Sequence, residues 1–283
     1  MSAEFNEKAK ADFSRARWKA FVRDILASLK GEKNTLLSYE EVKGKLRIGG
    51  PIYSGVKTVR VSQIVGSLNR YHEFDAAFLP KNNENASRWQ SVDRAFYREI
   101  SLPPVVLYKV GEVYFVVDGH HRVSVAREQN SEFIDAEVRE CSTKVKINAN
   151  LKSEDLQVLQ DKVNFLEATG FDQLKPEEDI FLTIPDGFSR MLEHIAVHRY
   201  FMGLDLKRDV SEREAILDWY ENVYLPIVKV IRESGILENF HGKTEGDLYL
   251  WVLDHQEYLN EEEGRDLQPP IEAAWNFVHN KDD

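Results

Sequence analysis

The chain has 283 residues, 42% of them hydrophobic and 30% charged, and a formal net charge of -11. That length accommodates two modest domains or one with extensions, and the composition supplies a folded core rather than a disordered chain. The acidic balance opposes nonspecific attraction to nucleic acid; the single cysteine, Cys141, excludes an intramolecular disulfide and a cysteine metal site; and no apolar run reaches the ~18 residues of a membrane span.

The opening MSAEFNEKAKADF is charged and lacks a signal-peptide apolar region, so a cytoplasmic setting is expected. Residues 4–30 read as one amphipathic helix with Phe13, Trp18, Phe21, Ile25 and Leu26 near helical spacing and Gly31 as its stop. GGPIYSGVK, from Gly49, follows no phosphate-loop pattern and reads as a connecting loop. From Val56, VKTVRVSQIVGS alternates as a strand, and SRWQSVDRAFYREIS is helical in period with Ser87 as its cap. PPVVLYKVGEVYFVVDG reads as two strands joined by a turn at Val110–Glu112; HHRVSVAREQN suits a helix and FIDAEVREC a further strand. Beyond Asn150 the chain reads as helical. SEDLQVLQDKVNFLEATG runs to Gly170. SEREAILDWYENVYLPIVKVIRESG opens with the capping box Ser211 and Glu214 and should kink or break at Pro226. KTEGDLYLWVLDHQEYLNEEEG starts at Thr244, with Asp247 in its first turn, and runs to Gly264, its acidic NEEEG end reading as solvated surface.

The chemistry concentrates in YFVVDGHHRVSVAREQN, where an apolar strand meets Asp118, Gly119, His120, His121 and Arg122 at the start of a helix. A helix N-terminus carries unpaired N–H groups and the positive end of the dipole, so an anion sits well there. Gly119 permits close approach, Arg122 offers a guanidinium fork, and the histidines can donate to phosphate or move protons near neutral pH. Asp118 could hold Mg²⁺ largely through water, because such ions take few protein carboxylates. The set describes a polyphosphate site. The plainer alternative makes Asp118 a helix cap and the histidines surface residues.

VRVSQIVGSLNRYHEFD followed by LPPVVLYKVGEVYFVVDGHHRVSVA resembles the ParB/sulfiredoxin superfamily over residues 56–140. Partition-type ParB proteins carry a GERR-x-R-A box for the phosphates of CTP; Gly119 and Arg122 match its glycine and second arginine, and Ala126 falls near its alanine. Sulfiredoxin carries G-C-H-R, matched by Gly119, His121 and Arg122, but His120 stands where its nucleophilic cysteine belongs, which rules against sulfinic-acid reduction. The free-serine kinase branch carries DGHTR, matched at Asp118, Gly119, His120 and Arg122. That match implies nucleotide phosphate binding and phosphoryl transfer, with Arg70, and with it Ser67 and Asn69, contributed by the first strand. The kinase branch also needs a base; Glu73 and Asp75 lie nearby in sequence. AVHRYFMG, WYENVYLPIV and KTEGDLYLWVLDHQEYL resemble an uncharacterised helical domain found behind ParB-like domains in bacterial proteins.

His194 and His198 share a helix face but lack the Glu and third ligand of a zinc hydrolase, so polar bridging between domains is the better reading. Lys243, Glu245, Asp247, Asp254 and His255 read as a cap and an ion-pair network, with a wall over the nucleotide cleft as the functional alternative. Trp219, Tyr220, Tyr224, Tyr249 and Trp251 read as core packing rather than a stacking platform.

The expected architecture is therefore α+β: a helical extension over 1–50, a ParB/sulfiredoxin-like small mixed-sheet domain over 51–145, and a mostly helical domain over 146–283. The expected function is a Mg²⁺-dependent NTPase or small-molecule kinase binding ATP, ADP or CTP at Ser67, Asn69, Arg70, Gly119, His120, His121 and Arg122. Asp118 and His120 are its expected catalytic residues, Asp118 its metal ligand, and a small hydroxyl compound its acceptor. The alternative is a partition-type regulator whose nucleotide gates association with DNA or protein. The charge disfavours DNA unless Arg15, Arg17, Lys19 and Arg23 form a patch; a homodimer is compatible with both readings, and no membrane partner is expected.

Overall fold

The computed structural model describes residues 2–263 and Ala274, with side chains from 3 to 254 and at Ala274. The expected helix end at Gly264 and the side chains of His255 and the NEEEG run lie outside the described residues. The chain divides into two compact units, Met1–Leu156 and Gln157–Asp283.

The first unit is a six-stranded mixed sheet with helices. Its elements are α1 (Ser2–Lys30), β1 (Leu37–Ser38), α2 (Tyr39–Leu46), β2 (Ile52–Arg60), β3 (Ile64–Ser67), α3 (Ala86–Tyr97), β4 (Val105–Val110), β5 (Val113–Asp118), α4 (His120–Glu128) and β6 (Phe133–Cys141). The strand order is β1-β3-β5-β4-β6-β2. β1 runs parallel to β3, β3 to β5 and β4 to β6, while the β4–β5 and β2–β6 pairs are antiparallel. β5 is central, and a central strand covered on both faces reads as a continuous apolar run. Tyr114 and Val116 join a buried cluster with Ile64, Phe74, Leu107 and Val123, while Phe115 between them meets Tyr39 of α2 edge-on at 5.6 Å. This is the period-two alternation of a strand carried out in packing.

Four local expectations change. The buried stripe of α1 is Ala9, Asp12, Phe13, Ala16 and Ala20, whereas Trp18, Phe21, Ile25 and Leu26 are exposed. Small side chains let α1 approach closely, so that Phe13, Ala16 and Ala20 pack with Trp89 and Val125. Residues 1–50 are not only helical extension: β1 pairs with β3, and α2 is capped by Ser38, whose Oγ accepts from Glu41 N. GGPIYSGVK is a loop only at its start, because β2 begins at Ile52 and absorbs a bulge between Tyr53 and Val56 beside Gly55. The helix over 86–97 starts after Asn85 without a side-chain cap, which leaves Ser87 inside its first turn.

The second unit is helical: α5 (Asp155–Thr169), α6 (Phe171–Leu174), α7 (Gly187–Leu206), α8 (Glu212–Trp219), α9 (Leu225–Ser234) and α10 (Glu245–Glu263). Ser211 caps α8, its Oγ accepting from Glu214 N at 3.2 Å. Pro226 lacks an N–H, yet the helix does not end there; a π-turn over Tyr220–Tyr224 widens the backbone and α9 continues. Trp219, Tyr220, Tyr224 and Tyr249 are core residues, Trp219 Nε1 donating to Tyr249 Oη at 3.0 Å. No helix among the described residues is long and apolar enough to cross a membrane.

Candidate functional site

Parallel pairing of β3 with β5 places Ser67 opposite Val116, so both strands end on the same side, where α4 begins. Open α/β sheets bind ligands in that kind of crevice. Gly119 is the turn between β5 and α4, with φ +98 in the left-handed region. An added Cβ would stand 2.6 Å from Val105 Cγ1, so only glycine passes there unstrained. The first intrahelical bond of α4 runs from Val123 N to Gly119 O. The helix geometry therefore leaves the N–H groups of His120, His121 and Arg122 without intrahelical acceptors. Asp118 is not the cap, because Gly119 holds that position.

Around this helix start lies a cleft of about 270 Å³, lined by Asn69, Arg70, Arg88, Asp118, His121 and Arg122 among others. Ser67 sits beneath it, wholly buried, with its Oγ 2.7 Å from His120 Nε2 and accepting from Arg70 N at 3.0 Å. Both histidines are buried and stand near Phe74, His120 stacked at 6.2 Å and His121 edge-on at 5.6 Å. Burial lowers each imidazole to about 4, and the charges of Arg70 and Arg88 push the same way. Both rings are thus neutral near pH 7, chiefly because they are buried, with the nearby arginine charges as a smaller contribution.

Arg70 makes a long contact to His121, Nη1 to Nε2 at 3.5 Å, and an ion pair with Glu73 at 3.3 Å. A guanidinium can only donate, so that contact makes Nε2 the acceptor and places the proton of His121 on Nδ1. Nδ1 is buried and has no hydrogen-bond partner.

The structure brings every expected site residue to this one place, but it redistributes their work. Arg122 is committed to structure: its Nη1 donates to the carbonyls of Pro103 and Pro104, and its Nη2 to Asp118 Oδ2 at 2.8 Å. Arg88, which motif reading overlooked, is an exposed arginine on the cleft wall. No motif marks it in the sequence; it reaches the cleft because α3 carries it and Val92, one helical turn on, to that wall. Glu73 lies at the edge through Arg70 and accepts from Asn85 Nδ2 at 2.8 Å. Asp75 is excluded as an accessible base, being wholly buried and accepting from Ala77 N, Leu79 N and Arg23 Nε.

The basic residues of α1 are likewise engaged: Arg15 and Lys19 bind Glu128, Arg17 donates to Asn83, and Arg23 pairs with Asp75. In the second unit His194 lies 3.3 Å from Tyr249 Oη and His198 2.7 Å from Asp218 Oδ2, so both bridge helices inside that unit. Asp247 is a wholly buried cap that accepts from Thr183 N, Thr183 Oγ1 and Thr244 N, and Asp254 accepts from Arg190. Among the described residues, no group of three or more His, Cys, Asp or Glu could hold a metal ion.

No family model matches the chain, and no curated protein does. Among solved structures, the Pnob8-like ParB-N domain in its C2221 crystal form is similar at 12% identity. The alignment covers 81% of this chain and 98% of that one, with a TM-score of 0.21.

Proposed function

We propose that the first unit is a ParB-like domain that binds the phosphates of a nucleotide at the start of α4. In this reading it hydrolyses the terminal phosphoryl group or passes it to a small hydroxyl compound. The observation that carries this reading is the convergence of Arg70, Arg88 and two buried neutral histidines on the left-handed glycine that opens α4. Phosphoryl transfer asks a protein mainly for positioning and charge neutralisation, and these groups supply both. The backbone N–H groups of α4 hold phosphate oxygens, Arg70 and Arg88 clamp from two sides, and Arg122 braces the rim through Pro103 and Pro104. Asp118, one oxygen held by Arg122, fits a Mg²⁺ bound mostly by phosphate and water. Such an ion would help to offset the charge that develops on the phosphate. His120, its Nε2 bonded to Ser67, has Nδ1 left to take a proton from an attacking hydroxyl once phosphate has raised its basicity.

The experiment is equilibrium binding of ATP, ADP, CTP and GTP with Mg²⁺, followed by assays of phosphate release and of transfer to small hydroxyl compounds. Binding by at least one nucleotide, weakened by Arg70→Ala, is expected. Failure of all of them to bind overturns the reading, and turnover that requires DNA moves it to the regulator.

A further inference from the structure

A larger cavity of the first unit, about 650 Å³, is reached from the other end of α4. Arg127, in the last turn of α4, lines it, displaced from His120 by about 10 Å along the helix axis. That volume is in the range of small-molecule sites. Its other walls come from the end of α1, residues 31–37, the start of β3 and residues 149–154.

The wall chemistry is uneven in charge. Arg23 and Arg127 both line the cavity; Arg23 pairs with the buried carboxylate of Asp75, whose charge also acts on Arg127 without a direct contact. Asp75 is already bound to Arg23 Nε and to two backbone N–H groups. Arg127 donates through Nη2 to Ile64 O at 2.8 Å, but its Nε is buried and has no acceptor. An unpaired buried donor on a cation is costly, so the arrangement is electrostatically incomplete. Lys30 and Lys33 add positive charge at the mouth, where Glu32 opposes them and Lys152 is taken up by Glu154 at 3.3 Å. Leu26, half exposed, and Leu37 give the cavity an apolar side.

We propose that this cavity is a second binding site, for a small organic anion whose carboxylate or phosphate sits between Arg127 and Arg23. The apolar body of that ligand lies against Leu26 and Leu37. The site is separate from the α4 N-terminal cleft and does not depend on the function proposed for it.

The test titrates the full chain with benzoate, phenyl phosphate, inorganic phosphate and the neutral benzamide, read by calorimetry. Benzoate or phenyl phosphate should bind saturably and at least about tenfold tighter than benzamide, the tighter of the two assigning the head group. Arg127→Gln should weaken that binding about tenfold or more. Because Arg127 also holds Ile64, the surface pair Lys30→Gln/Lys33→Gln provides a variant expected to fold, with a loss of about threefold or more. Arg70→Ala should leave it unchanged. The proposal is overturned if no anion saturates, if benzamide binds equally well, or if the lysine pair has no effect. Abolition by Arg70→Ala would also overturn it, by placing the anion in the other cleft. Inorganic phosphate binding as tightly as phenyl phosphate would remove the apolar part of the site.

Discussion

Replacing Gly119 by alanine should damage the start of α4 in two separable ways. The backbone holds φ +98, ψ 21, and a side chain in the left-handed region costs about 1–2 kcal/mol. The new Cβ would also stand 2.6 Å from Val105 Cγ1, 2.9 Å from Val105 Cβ and 3.0 Å from Arg122 Nε. Val105 is 1% exposed on β4 and has no room to retreat, so overpacking adds about 1–3 kcal/mol. Gly119→Ala should therefore cost about 2–5 kcal/mol in the first unit. In a Val105→Ala background the Cγ1 contact is gone while those to residue 105 Cβ at 2.9 Å and Arg122 Nε at 3.0 Å stay, so part of the overpacking is relieved and the two changes should couple favourably by about 1–2 kcal/mol. Hydrogen exchange of the α4 amides in the four proteins of this double-mutant cycle measures the opening free energy of this unit alone. A Gly119→Ala cost below about 0.5 kcal/mol, or one that Val105→Ala leaves unaltered, would refute the close-approach reasoning.

His120 and His121 titrate at about 4 when folded against an ordinary 6.5, so the unfolded chain binds more protons between those values. Their contribution is fully present above pH 6.5 and is lost as pH falls to 4, by up to about 3 kcal/mol each and less than additively because they interact. Asp93, wholly buried and raised by that burial to about 6, acts with the opposite sign in an overlapping window. Urea denaturation across pH should accordingly show a flatter acid limb in the His120→Asn/His121→Asn variant than in the wild type. Binding of a phosphate ligand should raise both imidazoles and take up protons, so affinity should increase from pH 8 to pH 6; calorimetry in buffers of differing ionisation enthalpy reads that uptake. Asp247→Ala should strand the N–H groups of Thr183 and Thr244 and lower the stability of the second unit by about 2–4 kcal/mol, seen in thermal unfolding.

The strand–glycine–helix junction at Asp118–Arg122 was legible because a two-sided apolar strand, a glycine and a helical period follow one another without interruption. β4, β5 and β6 were legible for the same reason, since β-branched runs bounded by turns have few other uses. β1 was not: Leu37–Ser38 is too short to show a period, and its place depends on Gly66, where a Cβ would stand 2.4 Å from Leu37 O. The buried face of α1 was misjudged because its aromatic residues outweigh alanine on any hydrophobic scale, while close helix packing selects the alanines. Asp75 and Arg122 look like chemical groups in the chain, yet tertiary hydrogen bonds give both of them structural work. Arg88 belongs to no motif; only the packing of α3 beside α4 carries it to the cleft.

The most direct test of the account is the affinity of wild type and of Arg88→Ala for Mg²⁺-nucleotide, measured side by side at one salt concentration. Arg88 has no structural partner among the described residues, so its removal should spare the fold while taking one cation from the phosphate seat. The account predicts a folded variant with affinity reduced about 10–100-fold, the worth of one charge-assisted contact. Equal affinity in the two proteins, or no binding by either, would contradict it.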